Sequence, residues 1–493
     1  MTRSNILLIL TDQLRTDALG CYGGSFVPTP NIDALASRGV LYRNCYTDCP
    51  VCTPARASLW TGKSVMGHGV YGLHDILPEN ERLFPELLRE AGYPTALFGK
   101  LHVSGRLADM NELHPHTGFD VYENALSPYN HECRYHAYRD WLATRHPALL
   151  ERLGRAGTSF GYIPEEAHFS TWVTERSMEF IGRQAAGGPF FCCASFVDPH
   201  DPFDDHPEDY LDLVDEAALA AFEDVPIDYE PPDGVKRELQ GGVLGCAADF
   251  TGEQIQRMRR SYFASIALLD KCVGNLVRSL EENGLLENTL VLFTTDHGEM
   301  LGQRGLLGKG AYFYEPCARV PFIACGPGFE DGNDSPRGFV QLRDIAATVL
   351  AAAGFEAETI TDLMPASQAL QRSGTRDYAI SFYRNSCISR QKVFWDPPIL
   401  CSMIREGTLK LTLYNAAAAD GSVQGELFNL AADPRETRNL WASPDYQSLK
   451  AGLLARMADW LVREDFACNG HGRGGQCFPP VRNWLKNNPI RVD

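Results

Sequence analysis

Asn5-Ile6-Leu7-Leu8-Ile9-Leu10-Thr11-Asp12-Gln13-Leu14-Arg15 opens with a short unbroken apolar run that stops abruptly in polar residues. A run without polar alternation reads as a strand covered on both faces, the situation of a central strand in a parallel sheet. Open α/β sheets bind their ligands beyond the carboxyl ends of such strands, where Asp12 and Gln13 lie. An aspartate there serves equally well as the cap of a following helix. The same pattern recurs three times. Thr95–Phe98 leads into Gly99-Lys100-Leu101-His102, Pro189–Val197 into Asp198-Pro199-His200-Asp201-Pro202, and Thr289–Thr294 into Thr295-Asp296-His297-Gly298-Glu299.

Helical spacing separates these strands. Met258, Tyr262, Ile266, Leu269, Val273, Leu276 and Leu280 form an apolar stripe stopped by Gly284, which reads as core rather than as a cofactor box. Phe84–Ala91 and Gln341–Gly354 are further helices. The expected fold is therefore α/β, a large mixed, mostly parallel sheet sandwiched by helices over residues 1–375. Beyond Thr375 the runs shorten. Tyr378–Tyr383, Cys401–Arg405 and Leu409–Tyr414, with a turn at Glu406-Gly407, predict a smaller α+β C-terminal subdomain, 376–493, carrying a short antiparallel sheet. A helix is expected from Pro444 to Val462, and the Gly-rich tail Cys468–Cys477 reads as a loop reaching toward the site. Asp204–Asp249, acidic and rich in Pro and Gly, reads as a long insertion or lid.

The chain has 493 residues with 44% hydrophobic and 22% charged, which suits a globular protein. A net charge of -18 excludes binding to a nucleic-acid backbone and repels anions at long range, so an anionic substrate needs a local cluster of cations. No secretory signal or membrane span is visible, and 15 cysteines without an export signal favour reduced thiols in the cytoplasm.

The most informative stretch is Asp48-Cys49-Pro50-Val51-Cys52-Thr53-Pro54-Ala55-Arg56-Ala57-Ser58-Leu59-Trp60-Thr61-Gly62. Pro54 suits the first helical position and Thr53 the N-cap, which would place Cys52 just outside a helix start. Unpaired N–H groups there bind anions and lower a thiol's pKa, and Arg56 lies one turn in. These residues describe a nucleophile beside an anion site. Cys49-x-x-Cys52 as a zinc or redox pair is weaker, because no second ligand pair and no thioredoxin-like pattern accompany it.

The order Cys52-x-Pro54-x-Arg56-Ala57-Ser58-Leu59-x-Thr61-Gly62 resembles the signature of the formylglycine-dependent sulfatases of the alkaline phosphatase superfamily. The resemblance extends in order along nearly the whole chain. It implies that a maturation enzyme oxidises Cys52 to an aldehyde, and that Asp12, Gln13, Asp296 and His297, with the modified Cys52, hold one divalent metal. It implies Ca²⁺ for that metal; mostly oxygen ligands with one imidazole also admit Mn²⁺ or Mg²⁺. Gln13 stands where the family has a second aspartate. Lys100 and His102 match a Gly-Lys-x-His segment that contacts the sulfate and the aldehyde hydrate. His200 matches a Pro-His-x-Pro turn, Lys309 the second active-site lysine, and Arg56 an arginine that orients the hydrate. His68, in Gly67-His68-Gly69, is a candidate wall of the substrate pocket, and Glu426-Leu427-Phe428-Asn429-Leu430 with Asp433-Pro434-x-Glu436 resembles the closing motif of the family's C-terminal subdomain.

The expected activity is hydrolysis of a sulfate ester, of a sulfated carbohydrate or another small organic sulfate. The alternative within the superfamily is a phosphonate monoester or phosphodiester hydrolase, which uses the same modified cysteine; Lys100 and His102 argue against it.

Overall fold

The structure is a computed structural model and describes residues 3–468 apart from 106–110, 129–132, 157–160, 186, 223, 228, 330–335, 371–375, 390, 392 and 416–421. The Gly-rich tail beyond Cys468 lies outside the described residues. The first strands in chain order are β1 (Asn5–Thr11), β2 (Val40–Tyr42), β3 (Cys45–Tyr46), β4 (Thr95–Gly99) and β5 (Val121–Asn124). They are followed by β6 (Phe191–Ser195), β7 (Thr289–Thr295), β8 (Phe322–Cys325) and β9 (Val340–Gln341). The helices used below are α1 (Pro30–Arg38), α2 (Cys52–Thr61), α3 (Phe169–Gln184), α4 (Gly252–Glu282), α5 (Asp344–Ala352) and α6 (Gln447–Cys468).

The large sheet has the order β2-β8-β7-β1-β6-β4-β5. β7, β1, β6, β4 and β5 are parallel, and β8 runs antiparallel to both β7 and β2. Alternate residues of β1 explain its continuous apolar run. Leu7 and Ile9 pack with Ile32 of α1, Trp172 of α3 and Leu269 of α4. Ile6, Leu8 and Leu10 pack on the opposite face with Leu59 and Trp60 of α2 and Val349 of α5. Both faces being covered, the middle of the strand, Ile6 to Leu10, is apolar throughout. The stripe on α4 is core as expected, and a capping box starts that helix, with Thr251 Oγ1 accepting from Gln254 N–H and Gln254 Oε1 from Thr251 N–H.

Strand register then positions the site. Thr11 lies beside Thr295, Leu10 beside Ser195, and Ser195 beside Gly99, so four parallel strands end together at one edge. β1 is flanked by β7 and β6, strands far apart in sequence, which is the switch point where such sheets open a crevice. Gly99 is required there: its φ is +104°, and a Cβ would lie 1.8 Å from the Ser195 carbonyl oxygen.

The second sheet has the order β10-β11-β12-β13, all antiparallel, with β10 (Tyr378–Arg384), β11 (Leu400–Glu406), β12 (Leu409–Asn415) and β13 (Gln424–Asn429). The sequence reading found three of these strands; β13 sits in what read as part of a closing motif. α6 covers one face through Leu453, Met457 and Trp460 against Ile380, Phe382 and Leu427. The other face belongs to a buried cluster holding Tyr46, Val51, Met300 and Tyr312 together with Ala379, Tyr383 and Met403.

The segment 204–249 is not a free lid. Its helix Asp233–Gly241 buries Val235 and Glu238, Tyr229 Oη donates to Glu426 Oε1 at 2.6 Å, and Ala311 N–H donates to Glu238 Oε1 at 3.0 Å. Through Tyr229 and Glu238 the segment is bonded to β13 and to the loop that follows β7. No disulfide joins cysteines among the described residues, and no described helix is long and apolar enough to cross a membrane.

Trp60 is fully buried, stacked on Phe84 at 5.2 Å and edge-on to Phe119 at 5.6 Å. Trp60→Ala is expected to lower unfolding stability by about 3–5 kcal/mol, read from the urea midpoint at unchanged m-value.

Candidate active site

Asp12 and Asp296 follow adjacent strands and are bridged by Arg56 of α2. Arg56 Nε donates to Asp296 Oδ2 at 2.7 Å and Nη2 to Asp12 Oδ2 at 3.1 Å, all three side chains having no solvent exposure. The other N–H groups go to Thr11 O, Lys100 O and Ser195 Oγ, so all five donors of Arg56 are engaged. None remains to orient a group on Cys52, as the sequence reading expected; the guanidinium instead aligns the two carboxylates.

α2 begins two residues earlier than expected. Val51 is its N-cap, Cys52 its first residue and Pro54 its third, and no side chain caps it. N–H groups of the first turn have no intrahelical partner, so proline is tolerated there. Thr53 Oγ1, freed from capping, donates to Leu73 O at 3.1 Å and pairs with His102 Nε2 at 3.1 Å. The loop before α2 is held by Asp48, whose carboxylate accepts from Arg343 Nη1, from Arg343 N–H at 3.2 Å and from Gln341 Nε2 at 3.3 Å. Asp48 O also accepts from Phe382 N–H of β10 at 2.9 Å.

Cys52 is buried beside cations. Lys309 Nζ lies 3.2 Å from its Sγ, 3.1 Å from Gln13 Oε1 and 3.0 Å from His200 Nε2. Lys100 Nζ lies 2.6 Å from Asp12 Oδ2. Burial pushes the Cys52 thiol up, but Lys309, Lys100 and hydrogen bonds from His102 and His200 outweigh it and hold the thiol well below its usual range. Burial also opposes charge on Lys309, yet Cys52 and Asp12 keep it protonated, with its pKa raised. Burial raises the Asp12 carboxyl, and Lys100, His200 and Arg56 reverse this to leave it low.

The two histidines diverge. His102 is pushed down to about 4 by burial and by Lys100. Its Nε2 lies 3.1 Å from Thr53 Oγ1, and its Nδ1 is buried. His200 loses to burial, but Asp201 outweighs that loss and its pKa is raised. Its Nδ1 lies 2.7 Å from Asp201 O.

Asp12, Cys52, Asp296 and His297 bring ligand atoms within 4.8 Å of one another. Asp12 Oδ1 and His297 Nε2 are buried, have no hydrogen-bond partner and lie 3.8 Å apart. His297 Nδ1 sits 2.9 Å from Gly298 O and must donate to it, which leaves the lone pair on Nε2. Two orphaned lone pairs facing each other are costly unless a cation lies between them. Carboxylates, an amide oxygen from Gln13 and one imidazole suit a hard divalent ion.

His68 lies apart from this group. It is buried, pairs with Ser58 Oγ at 2.9 Å, accepts from Val70 N–H at 3.1 Å, and is pushed down to about 3 by burial. It is a structural histidine of α2 rather than a pocket wall. Two residues escaped the sequence reading. Glu299, two positions past His297, accepts from Gln13 Nε2 at 2.6 Å, and Tyr262 of the α4 stripe donates to Gln13 O at 2.8 Å. The proximity of Glu299 to Asp296-His297 was the available signal; nothing in the period of α4 distinguishes a tyrosine that bonds from one that only packs.

Residues 4–355 match the family described as Sulfatase. The chain is 32% identical to the arylsulfatase of Clostridium perfringens over 365 residues, 71% of this chain and 74% of that protein. It is 31% identical to the choline-sulfatase of Rhizobium meliloti over 492 residues, 93% of this chain and 87% of that one. Among solved structures, the phosphonate monoester hydrolase of Silicibacter pomeroyi shares the fold, with TM-score 0.76 at 23% identity, covering 97% of this chain and 100% of that one. The chain is a sulfuric ester hydrolase of the alkaline phosphatase superfamily. It belongs to the sulfatase family.

Replacing Arg56 by Met leaves Asp12 and Asp296 as buried charges without their shared partner. This variant is expected to lose about 3–5 kcal/mol of stability at pH 7 and to regain part of it as the carboxylates protonate in acid, measured by thermal melts from pH 7 to 4.

Proposed function

We propose that the protein hydrolyses a small organic sulfate ester, using a formylglycine made from Cys52 by a maturation enzyme and one divalent cation, Ca²⁺ by the family's implication. The observation that supports this reading best is the position of Cys52 at the first residue of a buried helix, 3.2 Å from Lys309 and within the cluster of Asp12, Asp296 and His297. The hydrated aldehyde would supply a hydroxyl to attack sulfur and a second one with which to expel sulfate, which a thiol lacks. The cation, held by Asp12, Gln13, Asp296 and His297, would supply charge that offsets the sulfate oxygens and makes the nucleophile more reactive.

This chain's own residues divide the remaining tasks. Lys100 and Lys309 place ammonium groups near Cys52 and stabilise charge on the transferred group. His200 and Lys309, 3.0 Å apart, hold a proton for the leaving alcohol oxygen. His102, neutral above about pH 4, accepts the proton released when sulfate departs. Arg56 keeps Asp12 and Asp296 aligned. A cytoplasmic location accords with cysteines that form no disulfide among the described residues. The net charge of -18 favours a small sulfate over a polyanionic polymer.

The deciding measurement is the mass of the tryptic peptide Asn44–Arg56 from protein made in its native host. The expected peptide carries an aldehyde at Cys52; an intact thiol throughout an active preparation overturns the mechanism. An aryl sulfate is expected to turn over faster than an aryl phosphonate. The reverse ranking would assign the protein to phosphonate monoester or phosphodiester hydrolysis.

The pH profile follows from the two histidines. His102 must be neutral to take a proton, so activity is lost as pH falls through about 4. His200 must be protonated to give one and its pKa is raised, so the alkaline limb falls above the ordinary imidazole range. His102→Gln is expected to cost about 10²–10⁴ in kcat and to remove the acid limb.

A further inference from the structure

A glutamine that serves as a metal ligand has a difficulty an aspartate does not. Its side chain carries an acceptor at one end and a double donor at the other, and only the oxygen can face a cation. Something must decide which end points inward. Among the described residues, two groups are placed to do so: Lys309, whose Nζ donates to Gln13 Oε1 at 3.1 Å, and behind the amide Glu299, which is fully buried and whose Oε2 lies 2.6 Å from Gln13 Nε2.

Both oxygens of Glu299 are committed. Oε1 accepts from Leu301 N–H at 2.8 Å and from Gly308 N–H at 2.5 Å, which leaves Oε2 for Gln13. A carboxylate only accepts, so the NH₂ end of Gln13 must face it and Oε1 must turn toward the site, where it lies 3.1 Å from Lys309 Nζ. Both residues are pinned through their backbones. Gln13 has a φ of +65°, an uncommon conformation for a residue other than glycine. It is kept there by donation from its N–H to Asp296 Oδ1 at 3.2 Å and by the Tyr262 hydroxyl bonded to its carbonyl at 2.8 Å. Arg15 Nη1 donates to Glu299 O at 2.8 Å. With both backbones fixed, the amide has one freedom left, rotation end for end, and Glu299 opposes it together with Lys309.

We propose that Glu299 is a positioning residue that sets the Gln13 amide with its oxygen toward the divalent cation. The proposal rests on the reading of Asp12, Gln13, Asp296 and His297 as the metal site. Glu299 also stands behind Gln13 with the negative charge that an aspartate at position 13 would have brought, so the charge is retained one residue further from the ion.

The test is a swap of the pair. In Glu299→Gln, the new amide oxygen stays with the Leu301 and Gly308 N–H groups, and its NH₂ meets the NH₂ of Gln13. Gln13 then turns over and offers nitrogen to the metal. In the double variant Gln13→Glu with Glu299→Gln, the donor and acceptor exchange places and an oxygen again faces the site. The proteins are stripped with a chelator and titrated with Ca²⁺ by calorimetry, and metal-free melting temperatures are taken alongside. Glu299→Gln is expected to bind Ca²⁺ about 10–100-fold more weakly, and the double variant to recover most of that loss.

Wild-type affinity in a folded Glu299→Gln overturns the proposal. So does a double variant that stays as weak as Glu299→Gln, or failure of both to fold, since either marks Glu299 as merely structural. If Glu299→Gln does not fold but the double variant folds and binds Ca²⁺, the pairing is supported. Asp12→Asn and His297→Ala separate the two readings. Loss of Ca²⁺ binding in both, with wild-type binding in Glu299→Gln, defeats only the orienting role. Wild-type binding in Asp12→Asn and His297→Ala, or no divalent cation bound by the wild type, defeats the metal site and the proposal with it.

Discussion

A guanidinium without solvent exposure lies between two carboxylates that arrive from different strands, and the architecture around it follows from that arrangement. Arg56 belongs to α2, Asp12 follows β1 and Asp296 follows β7, so the triad fastens the nucleophile's helix to the edge of the sheet. Unpaired, any one of these charges would cost several kcal/mol in such a place. Together they neutralise one another in part and spend every donor of the arginine. Asp12 Oδ1 is the notable remainder, an acceptor with no donor that faces the lone pair of His297. A buried, well-satisfied clamp thus surrounds a small unsatisfied centre, and it is there that a cation finds its ligands.

Around this centre the electrostatics run against the protein as a whole. The chain carries a net charge of -18, yet Cys52 faces Lys309 and Lys100 within a few ångströms. At such distances a local ammonium outweighs many remote carboxylates, because exposed charges beyond about 10 Å are screened by salt. The same burial has opposite consequences for two histidines. His102, buried next to Lys100, is driven neutral in spite of Cys52, whereas His200 has Asp201 beside it and stays disposed to hold a proton. A proton acceptor and a proton donor are thereby separated by environment alone.

The antiparallel sheet contributes no candidate catalytic side chain, but it secures the loop that carries Cys52. Asp48 is bonded to Gln341 and Arg343 on one side and, through its carbonyl, to Phe382 of β10 on the other. The shared buried cluster behind these bonds leaves the loop with few alternative positions. The 204–249 segment is likewise held against the fold, by Tyr229 on Glu426 and Glu238 on the Ala311 N–H.

Much of this was readable in the amino-acid order. Apolar runs ending in Asp12, Lys100, His200 and Asp296 declare strands of a doubly covered sheet and mark their carboxyl ends, because the middle of a strand buried on both faces is apolar and polar residues return toward its end. The pattern around Cys52 resembles one family and brought the same residues forward. What the order could not show is which partner each buried charge would find. That Arg56 spends its donors on carboxylates, that His68 faces Ser58, and that Thr53 bonds His102 instead of capping a helix depend on side chains brought together from distant parts of the chain. Nor does a period of 3.6 reveal that Tyr262 keeps a hydroxyl on Gln13. Local sequence determines which face of an element is apolar, because that depends on spacing alone. Hydrogen-bond partners and protonation states depend on the dielectric and the neighbours that only packing supplies, and those the tertiary structure decided.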